Sequence, residues 1–131
     1  MLPFFLHGYI RLKMPYNKDT GNKGEELAAQ ALEERGFNIL ERNWQFSHWE
    51  VDMIASLNGR LHFIEVKTRT NQKFGYPEES ITRDKMKSLK NAAEAYQELH
   101  PEWKYIQFDV VAISLNGERI REFFLIEDVY F

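Results

Sequence analysis

Residues 50–67 of this 131-residue chain read EVDMIASLNGRLHFIEVK, two apolar runs joined by Asn58-Gly59. An Asn-Gly pair between apolar runs is the strongest short-range signal for a two-residue β-hairpin turn. With that turn, Asp52 lies directly opposite Glu65. Like charges facing each other across two strands destabilise a sheet, so this register favours a cation between the two carboxylates. The stretch therefore predicts a divalent-metal site.

The residue types around this pair suit a hard cation. Mg²⁺ and Mn²⁺ prefer oxygen ligands, commonly one or two carboxylates completed by water and phosphate oxygens. We predict that Asp52, Glu65 and the backbone carbonyl of Val66 are ligands, and that Lys67 orients a water or stabilises charge on a phosphoryl group. Glu50 faces Lys67 in the same register, so we expect it to hold that lysine. The hairpin alone is equally compatible with a solvated cluster of ion pairs.

The rest of the chain alternates between helical and strand patterns. Apolar spacing that ends at Arg35-Gly36 predicts a helix over residues 22–35, and Thr82 is a suitable N-cap for a second helix. The apolar stripe of that second helix is Met86, Leu89, Ala92, Ala93 and Tyr96. Strands are expected over residues 37–44, 50–57, 60–68, 105–115 and 119–126, the last two around a turn at Asn116-Gly117. This α-β-β-β-α-β-β order predicts an α/β fold.

Both faces of the 50–67 hairpin are apolar near its turn. One face is expected to hold Val51, Met53, Ile64 and Val66, and the other Ile54, Leu61 and Phe63. Strands of this kind are central in a sheet and covered on both sides.

The composition, with 44% apolar residues, predicts one domain with its own core over residues 14–131. We expect residues 1–13 to be an extension without fixed structure, or to precede a translation start at Met14. Their apolar run is too short to span a membrane, and basic residues follow it rather than precede it, unlike a signal peptide. The absence of cysteine excludes disulfides and thiolate metal sites and fits the cytoplasm.

Charge is distributed unevenly along the chain. The net charge of −3 disfavours a protein that coats nucleic acid through its overall charge. Basic residues nevertheless outnumber acidic ones between Lys67 and Lys90, just after the candidate site. We predict that Arg69, Lys73 and Lys85 contact a nucleic-acid backbone, with solvation of the second helix as the alternative for Lys85. Asp109, in an apolar strand, is expected to make a structural hydrogen bond.

A series of short motifs extends over residues 21–113. They are Gly21-x-x-Gly24-Glu25-x-x-Ala28, Arg42-Asn43, Glu50-Val51-Asp52-Met53-Ile54, Phe63-Ile64-Glu65-Val66-Lys67-Thr68-Arg69, Phe74-Gly75-x-Pro77, Lys85 and Phe108-Asp109-Val110-Val111. The series resembles the YraN-like family of bacterial proteins, which is similar to the PD-(D/E)XK nuclease superfamily, including archaeal Holliday-junction resolvases. The resemblance implies a restriction-endonuclease-like α-β-β-β-α-β core, with a central mixed sheet flanked by helices and an extra C-terminal strand.

The same resemblance implies roles for individual residues. Asp52 and Glu65 match the metal-binding carboxylates of the superfamily, and Lys67 matches its motif lysine. Glu25 matches an acidic residue on the first helix of the resolvase-like branch, where it contacts a metal directly or through water. A glutamate near a helix start is also favoured by the helix dipole alone. The implied catalytic set is Glu25, Asp52, Glu65 and Lys67, with Mg²⁺ or Mn²⁺ as cofactor.

Two positions depart from the family pattern. Trp49 stands where the family has glycine, and Gln45 where it has a basic residue. A tryptophan here can stack on a base or crowd the groove, whereas the lost charge weakens phosphate binding.

We predict a metal-dependent endonuclease that hydrolyses phosphodiester bonds in DNA rather than RNA. Branched or recombining DNA is the candidate substrate, and by analogy with resolvases the protein is expected to be a homodimer. The alternative is a nucleic-acid-binding or partner-docking module with little or no turnover.

Overall fold

The computed structural model describes residues 20–69 and 82–129, with side chains from residue 23 onward. Its elements are α1 (Thr20–Glu34), β1 (Asn38–Phe46), β2 (Trp49–Leu57), β3 (Arg60–Arg69), α2 (Arg83–Leu99), β4 (Ile106–Asn116) and β5 (Arg119–Ile126). The order confirms the predicted α-β-β-β-α-β core with an extra C-terminal strand. None of the helices in these described ranges is long and apolar enough to cross a membrane.

The five strands form one sheet whose spatial order follows the chain. β3 and β4 are parallel, and the other neighbouring strands are antiparallel. Parallel strands need a long crossover, which is why α2 lies between β3 and β4 in the chain. The sheet is therefore mixed, as predicted.

The two helices cover opposite faces of the sheet. On one face, Leu27 and Leu32 of α1 pack with Met53 and Ile64. On the other face, Leu89 of α2 packs in a second cluster, together with Met86, Ala92, Ala93, Tyr96, Ile54, Leu61 and Phe63. The prediction that β2 and β3 are central strands, apolar on both sides, is confirmed.

The turn between β2 and β3 has the predicted two residues. Asn58 and Gly59 have φ values of +52° and +78°, and Leu57 pairs with Arg60. Positive φ at both turn positions is the type I′ geometry, whose twist matches that of the flanking strands. The register around the candidate site follows from this turn.

Two other turns differ from the prediction. β1 continues to Phe46 and pairs with Trp49 around a two-residue turn at Ser47-His48, so β1 and β2 also form a hairpin. That turn was not predicted because Ser-His is not a typical type I′ pair; Ser47 has a φ of +59°. The last hairpin turns at Gly117-Glu118, one residue later than expected.

Val51 lies on the opposite face from the one predicted. It packs in the α2 cluster, whereas Met53 packs in the α1 cluster. The partner strand switches in the same place, since Trp44 packs on the α2 side and Arg42 pairs with Glu26 of α1. Strict alternation along a strand requires extended backbone at every residue. Asn43, between the two partners, has a φ of +53°, and this left-handed residue breaks the alternation.

The start of α1 lies very close to the end of β3. A Cβ atom on Gly24 would stand 2.7 Å from the Cβ of Thr68, closer than real side chains approach. Only glycine lets the helix backbone come this near the strand. The close approach brings Glu25, the next residue of α1, toward the carboxylates at the same end of the sheet.

Candidate metal site

β2 and β3 separate at the carboxylates. Their paired residues run from Leu57 and Arg60 to Met53 and Ile64, and the ladder ends there. Asp52 does not continue it as a ladder partner of Glu65. Its Oδ2 instead accepts a hydrogen bond from the backbone N–H of Val66, at 2.8 Å. The predicted register is therefore correct from Leu57 and Arg60 to Met53 and Ile64. Beyond these residues the two strands diverge as a fork, and the candidate site lies in this fork.

The carboxyl groups of Asp52 and Glu65 nevertheless meet. Burial is the first cause that raises the pKa of Glu65, and the negative charge of Asp52 is the second. Burial is the largest influence on Asp52 and raises its pKa, opposed mainly by the Val66 N–H and by Lys85. The two acids therefore behave as one strongly interacting pair.

Glu65 is the more perturbed member of this pair. It is 4% exposed, and burial, with a further contribution from Asp52, raises its pKa to about 7. Its Oε1 is fully buried and accepts no hydrogen bond from the described residues. A buried carboxyl oxygen without a donor needs either a proton or a cation beside it.

Two lysines lie on opposite oxygens of Glu65. Lys67 Nζ is 3.4 Å from Oε2, and Lys85 Nζ is 3.5 Å from the buried Oε1. Their side chains are 32% and 35% exposed, so each ammonium group reaches inward from the surface. The structure therefore brings Lys67 and Glu65 together, while their roles toward a metal stay predictions.

Glu50 is not the partner of Lys67. The predicted ion pair between these two described side chains is absent: Lys67 contacts Glu65, while Glu50 accepts a hydrogen bond from Gln45 at 3.2 Å. The prediction assumed that the hairpin ladder continues past Asp52, and the fork removes that continuation. Glu50 remains near the site, since its charge raises the pKa of Asp52.

Glu25 joins the site from α1. Burial and the charge of Asp52 raise its pKa, while a hydrogen bond from the Asn43 side chain lowers it. The first helix and the second strand therefore place acidic groups near each other, as the predicted set of acids requires. The side chain of Asn43 contacts Glu25. The backbone of the same residue, through its positive φ, moves the following side chains of β1 to the other face of the sheet.

Sequence reasoning missed two features of the site. Asn43 was seen only as part of a motif, although asparagine is one of the few residues that tolerates positive φ. Lys85 lies against Glu65, a contact that the sequence did not indicate, while its contact with a nucleic-acid backbone stays a prediction. The capping of α2 places it there, because Thr82 Oγ1 accepts a hydrogen bond from the Lys85 N–H at 3.1 Å and so starts the helix beside β3.

The other predicted contacts to nucleic acid are less central. Arg69 is the last residue of β3, two positions beyond Lys67. Lys73 lies outside the described residues.

The acidic pair fits a hard cation through a small ligand set. Among the described residues no three His, Asp or Glu side chains are grouped closely enough to hold an ion by themselves. Mg²⁺ does not need such a group, since it is commonly bound by one or two carboxylates with water and substrate oxygens as the remaining ligands. Asp52 and Glu65 meet that requirement, and the buried Oε1 of Glu65 is an oxygen without a hydrogen-bond donor.

Three aromatic rings stack beside the site, at the tip of the β1–β2 hairpin. The ring centroids of Trp44 and Phe46 are 6.1 Å apart, and those of Phe46 and Trp49 are 6.2 Å apart. The planes of each pair are inclined by 10° and 18°, so the three rings are nearly parallel. Phe46 is 44% exposed. Trp49 lies three residues before Asp52, about 10 Å along the strand.

Comparison with known proteins gives one consistent relationship. The profile of "Uncharacterised protein family UPF0102" matches residues 24–113. The UPF0102 protein of Syntrophomonas wolfei is 44% identical over 101 residues, covering 76% of this chain and 88% of the relative. That of Dictyoglomus thermophilum is 45% identical over 101 residues (76% and 86%), and that of Chlorobaculum parvum is 44% identical over 107 residues (79% and 83%). The matched region contains α1 from Gly24 onward, all of α2, Asp52, Glu65 and both lysines, and the chain belongs to the family UPF0102.

Proposed function

We propose that this protein is a divalent-metal-dependent endonuclease that hydrolyses phosphodiester bonds in DNA. The observation that carries the proposal is the pair of buried carboxyl groups of Asp52 and Glu65. The buried Oε1 of Glu65 accepts no hydrogen bond from the described residues and faces Lys85. Such a pair destabilises the folded protein, because burial and mutual repulsion both oppose ionisation of the two carboxyl groups. Strongly perturbed acids grouped in this way are typical of functional sites.

Each residue has a part in the proposed reaction. Asp52, Glu65 and the Val66 carbonyl would hold Mg²⁺ or Mn²⁺, with Glu25 as a further ligand directly or through water. The bound cation supplies Lewis-acid activation of water and neutralises charge on the phosphate. Lys67 is paired with Glu65 and partly exposed, so its ammonium group can turn to the substrate and stabilise negative charge developing on the phosphoryl oxygens.

The hairpin tip supports nucleic acid as the substrate class. Every base has a π-face, so stacking on aromatic side chains recognises nucleic acid without regard to sequence. The rings of Trp44, Phe46 and Trp49 already form a stack, and the exposed part of Phe46 and Trp49 offers surface to a further planar group. Branched or partly unpaired DNA exposes such bases, and is the preferred substrate in this proposal.

A cleavage assay tests the activity. Duplex, single-stranded and four-way-junction DNA would be incubated with the protein and Mg²⁺ or Mn²⁺, and compared with Asp52→Asn, Glu65→Gln and Lys67→Met. We expect each substitution to reduce the cleavage rate by at least ~100-fold, the usual loss when an essential charge-stabilising or ligating group is removed. Glu33→Gln, on the exposed side of α1, is the matched control. Cleavage that survives both carboxylate substitutions would contradict the mechanism.

A binding module without turnover is the second candidate. The observation in its favour is the stack of Trp44, Phe46 and Trp49, which can bind unpaired bases without any metal. This candidate predicts metal-independent binding to junction DNA and no product in the same assay. The two functions are therefore separated by one gel run with and without EDTA.

A further inference from the structure

The ammonium group of Lys85 lies against the buried oxygen of Glu65. Its Nζ is 3.5 Å from Glu65 Oε1, the oxygen that is fully buried and accepts no hydrogen bond. At 3.5 Å with no hydrogen bond, the contact is an ion pair held mainly by charge. Lys67 approaches the other oxygen of Glu65, so the two lysines are not equivalent.

Lys85 also acts on both carboxylates. Its charge lowers the pKa of Asp52 as well as that of Glu65, whereas Lys67 is among the main influences on Glu65 only. The contact that the structure itself shows is the one between Lys85 Nζ and Glu65 Oε1. A divalent ion held by Asp52 and Glu65 would meet the ammonium group at that oxygen.

The location of Lys85 within its helix points the same way. It is in the first turn of α2, three residues after the N-cap Thr82. A cation at a helix N-terminus is disfavoured by the helix dipole, which prefers acidic residues there. Attraction to the carboxylates of β2 and β3 offsets this unfavourable position. The same attraction holds the ammonium group over the site instead of letting it extend into solvent.

We propose that Lys85 is the resident counter-ion of the metal-free site, and that a divalent cation displaces its ammonium group from Glu65 toward the substrate phosphate. The inference rests on the metal site of the proposed function and deepens it. The metal and the Lys85 ammonium group compete for the same oxygen, so removing the lysine must strengthen metal binding. Once displaced, Lys85 lies at the rim of the site, where a DNA phosphate would approach.

Metal affinity tests the competition. Mn²⁺ binding to the full chain would be measured by calorimetry for wild type, Lys85→Met and Lys87→Met, the last being an exposed lysine of the same helix. We expect Lys85→Met to bind Mn²⁺ ~tenfold more tightly than wild type, the scale of a unit charge removed within about 4 Å in a partly solvated site. Lys87→Met should bind as wild type does. Equal or weaker binding by Lys85→Met would overturn the proposal.

Lysine reactivity tests the displacement directly. Brief acylation of the wild-type protein, read by mass spectrometry, should modify Lys85 faster when Mg²⁺ is added, with Lys87 unchanged. A Lys85 rate that does not respond to Mg²⁺, in protein that binds the ion, would overturn the displacement and leave the nuclease proposal intact. A response of Lys85 without any DNA cleavage would support the displacement and reject the enzyme. No ion binding by wild type or Lys85→Met would reject both.

Discussion

The pair formed by Asp52 and Glu65 is a source of instability in the metal-free protein. The pKa of Glu65 is raised to about 7 by burial and by Asp52, against an ordinary value of 4.5. A group whose pKa is higher in the folded state favours folding when it is protonated. Its contribution is fully present below pH 4.5 and is lost as the pH rises through 7. The two acids therefore lower the free energy of unfolding at neutral and alkaline pH.

Glu65→Gln should remove much of that pH dependence. In the metal-free wild type, the free energy of unfolding is expected to fall as the pH rises from about 4.5 to 7, because the native state binds the proton more tightly. Glutamine resembles the protonated acid, so the variant should be more stable than wild type at pH 8, by roughly 1–3 kcal/mol. Urea denaturation in EDTA across this pH range measures both effects. Parallel curves for the two proteins would contradict the prediction.

Trp49→Ala should weaken binding to unpaired bases. Removing this ring takes away one end of the stack and leaves only Trp44 and Phe46. Base–aromatic stacking is worth about 1–3 kcal/mol per base. Fluorescence anisotropy with single-stranded DNA, in Ca²⁺ or EDTA to prevent cleavage, measures the affinity. Tyr105→Ala is the matched control, because this aromatic residue is 65% exposed but precedes β4 at the far end of the sheet. Equal losses from the two substitutions would argue against a stacking site.

At the scale of elements, the site depends on two irregular places. The face switch of β1 and β2 at Asn43 lets Asp52 leave the regular ladder, and the contact of Gly24 with Thr68 lets α1 deliver Glu25. Both are local departures from ideal geometry beside charged side chains. Such departures concentrate at functional sites, where the surrounding structure maintains them.

Asn43 has a backbone role and a side-chain role that substitutions can separate. Asn43→Gly keeps the φ of +53° accessible but removes the hydrogen bond to Glu25. Asn43→Ala removes the bond and also strains the backbone. We expect Asn43→Ala to be less stable than Asn43→Gly by about 1 kcal/mol, as measured by urea denaturation. If the glycine variant is the less stable of the two, the left-handed backbone is not what this position requires.

Gly24→Ala should separate α1 from β3. The added methyl group meets Thr68 at a distance that neither backbone can accommodate without moving. We expect a loss of about 1–3 kcal/mol in stability, together with weaker metal binding because Glu25 moves with the helix. In a double-mutant cycle, Thr68→Gly should recover part of the loss. Ala29→Gly, also on α1, controls for the helix propensity of glycine.

At the scale of the whole molecule, a second buried polar group lies outside the candidate metal site, on the neighbouring strand β4. Asp109, in β4, is fully buried, and its Oδ2 lies 2.6 Å from His62 Nδ1 in β3. Its Oδ1 accepts hydrogen bonds from Gln107 Nε2 at 2.9 Å and from the Asp128 N–H at 3.0 Å. The prediction of a structural hydrogen bond at Asp109 is confirmed. These hydrogen bonds connect the parallel strands β3 and β4 to Asp128, which follows β5.

Asp109→Ala should be strongly destabilising. The substitution leaves His62 and the Gln107 side chain, both buried, without their acceptor, and should cost about 2–4 kcal/mol. Asp109→Asn keeps one acceptor oxygen and should cost less. Glu118→Ala, in the exposed β4–β5 turn, should stay within about 0.5 kcal/mol of wild type. Thermal or urea unfolding measures all three, and a loss below 1 kcal/mol for Asp109→Ala would contradict a structural role.

The predictable part of this protein is the part governed by neighbours in the chain. The turn chemistry of Asn58-Gly59 defines the β2–β3 register, the Thr82 cap starts α2, and apolar periodicity identifies the central strands. Asp52, Glu65 and Lys67 could be placed together because one turn connects them.

The rest depended on contacts between residues distant in the chain. Lys85 meets Glu65 across a crossover, Glu25 meets Asp52 through the packing of α1, and the fork beyond Met53 redirects Glu50 to Gln45. No local spacing encodes these distances, because they are set by how helices pack on a twisted sheet and by one left-handed residue. The amino-acid sequence alone therefore determines which strands carry the acids, whereas the tertiary packing decides which cations and hydrogen bonds surround them.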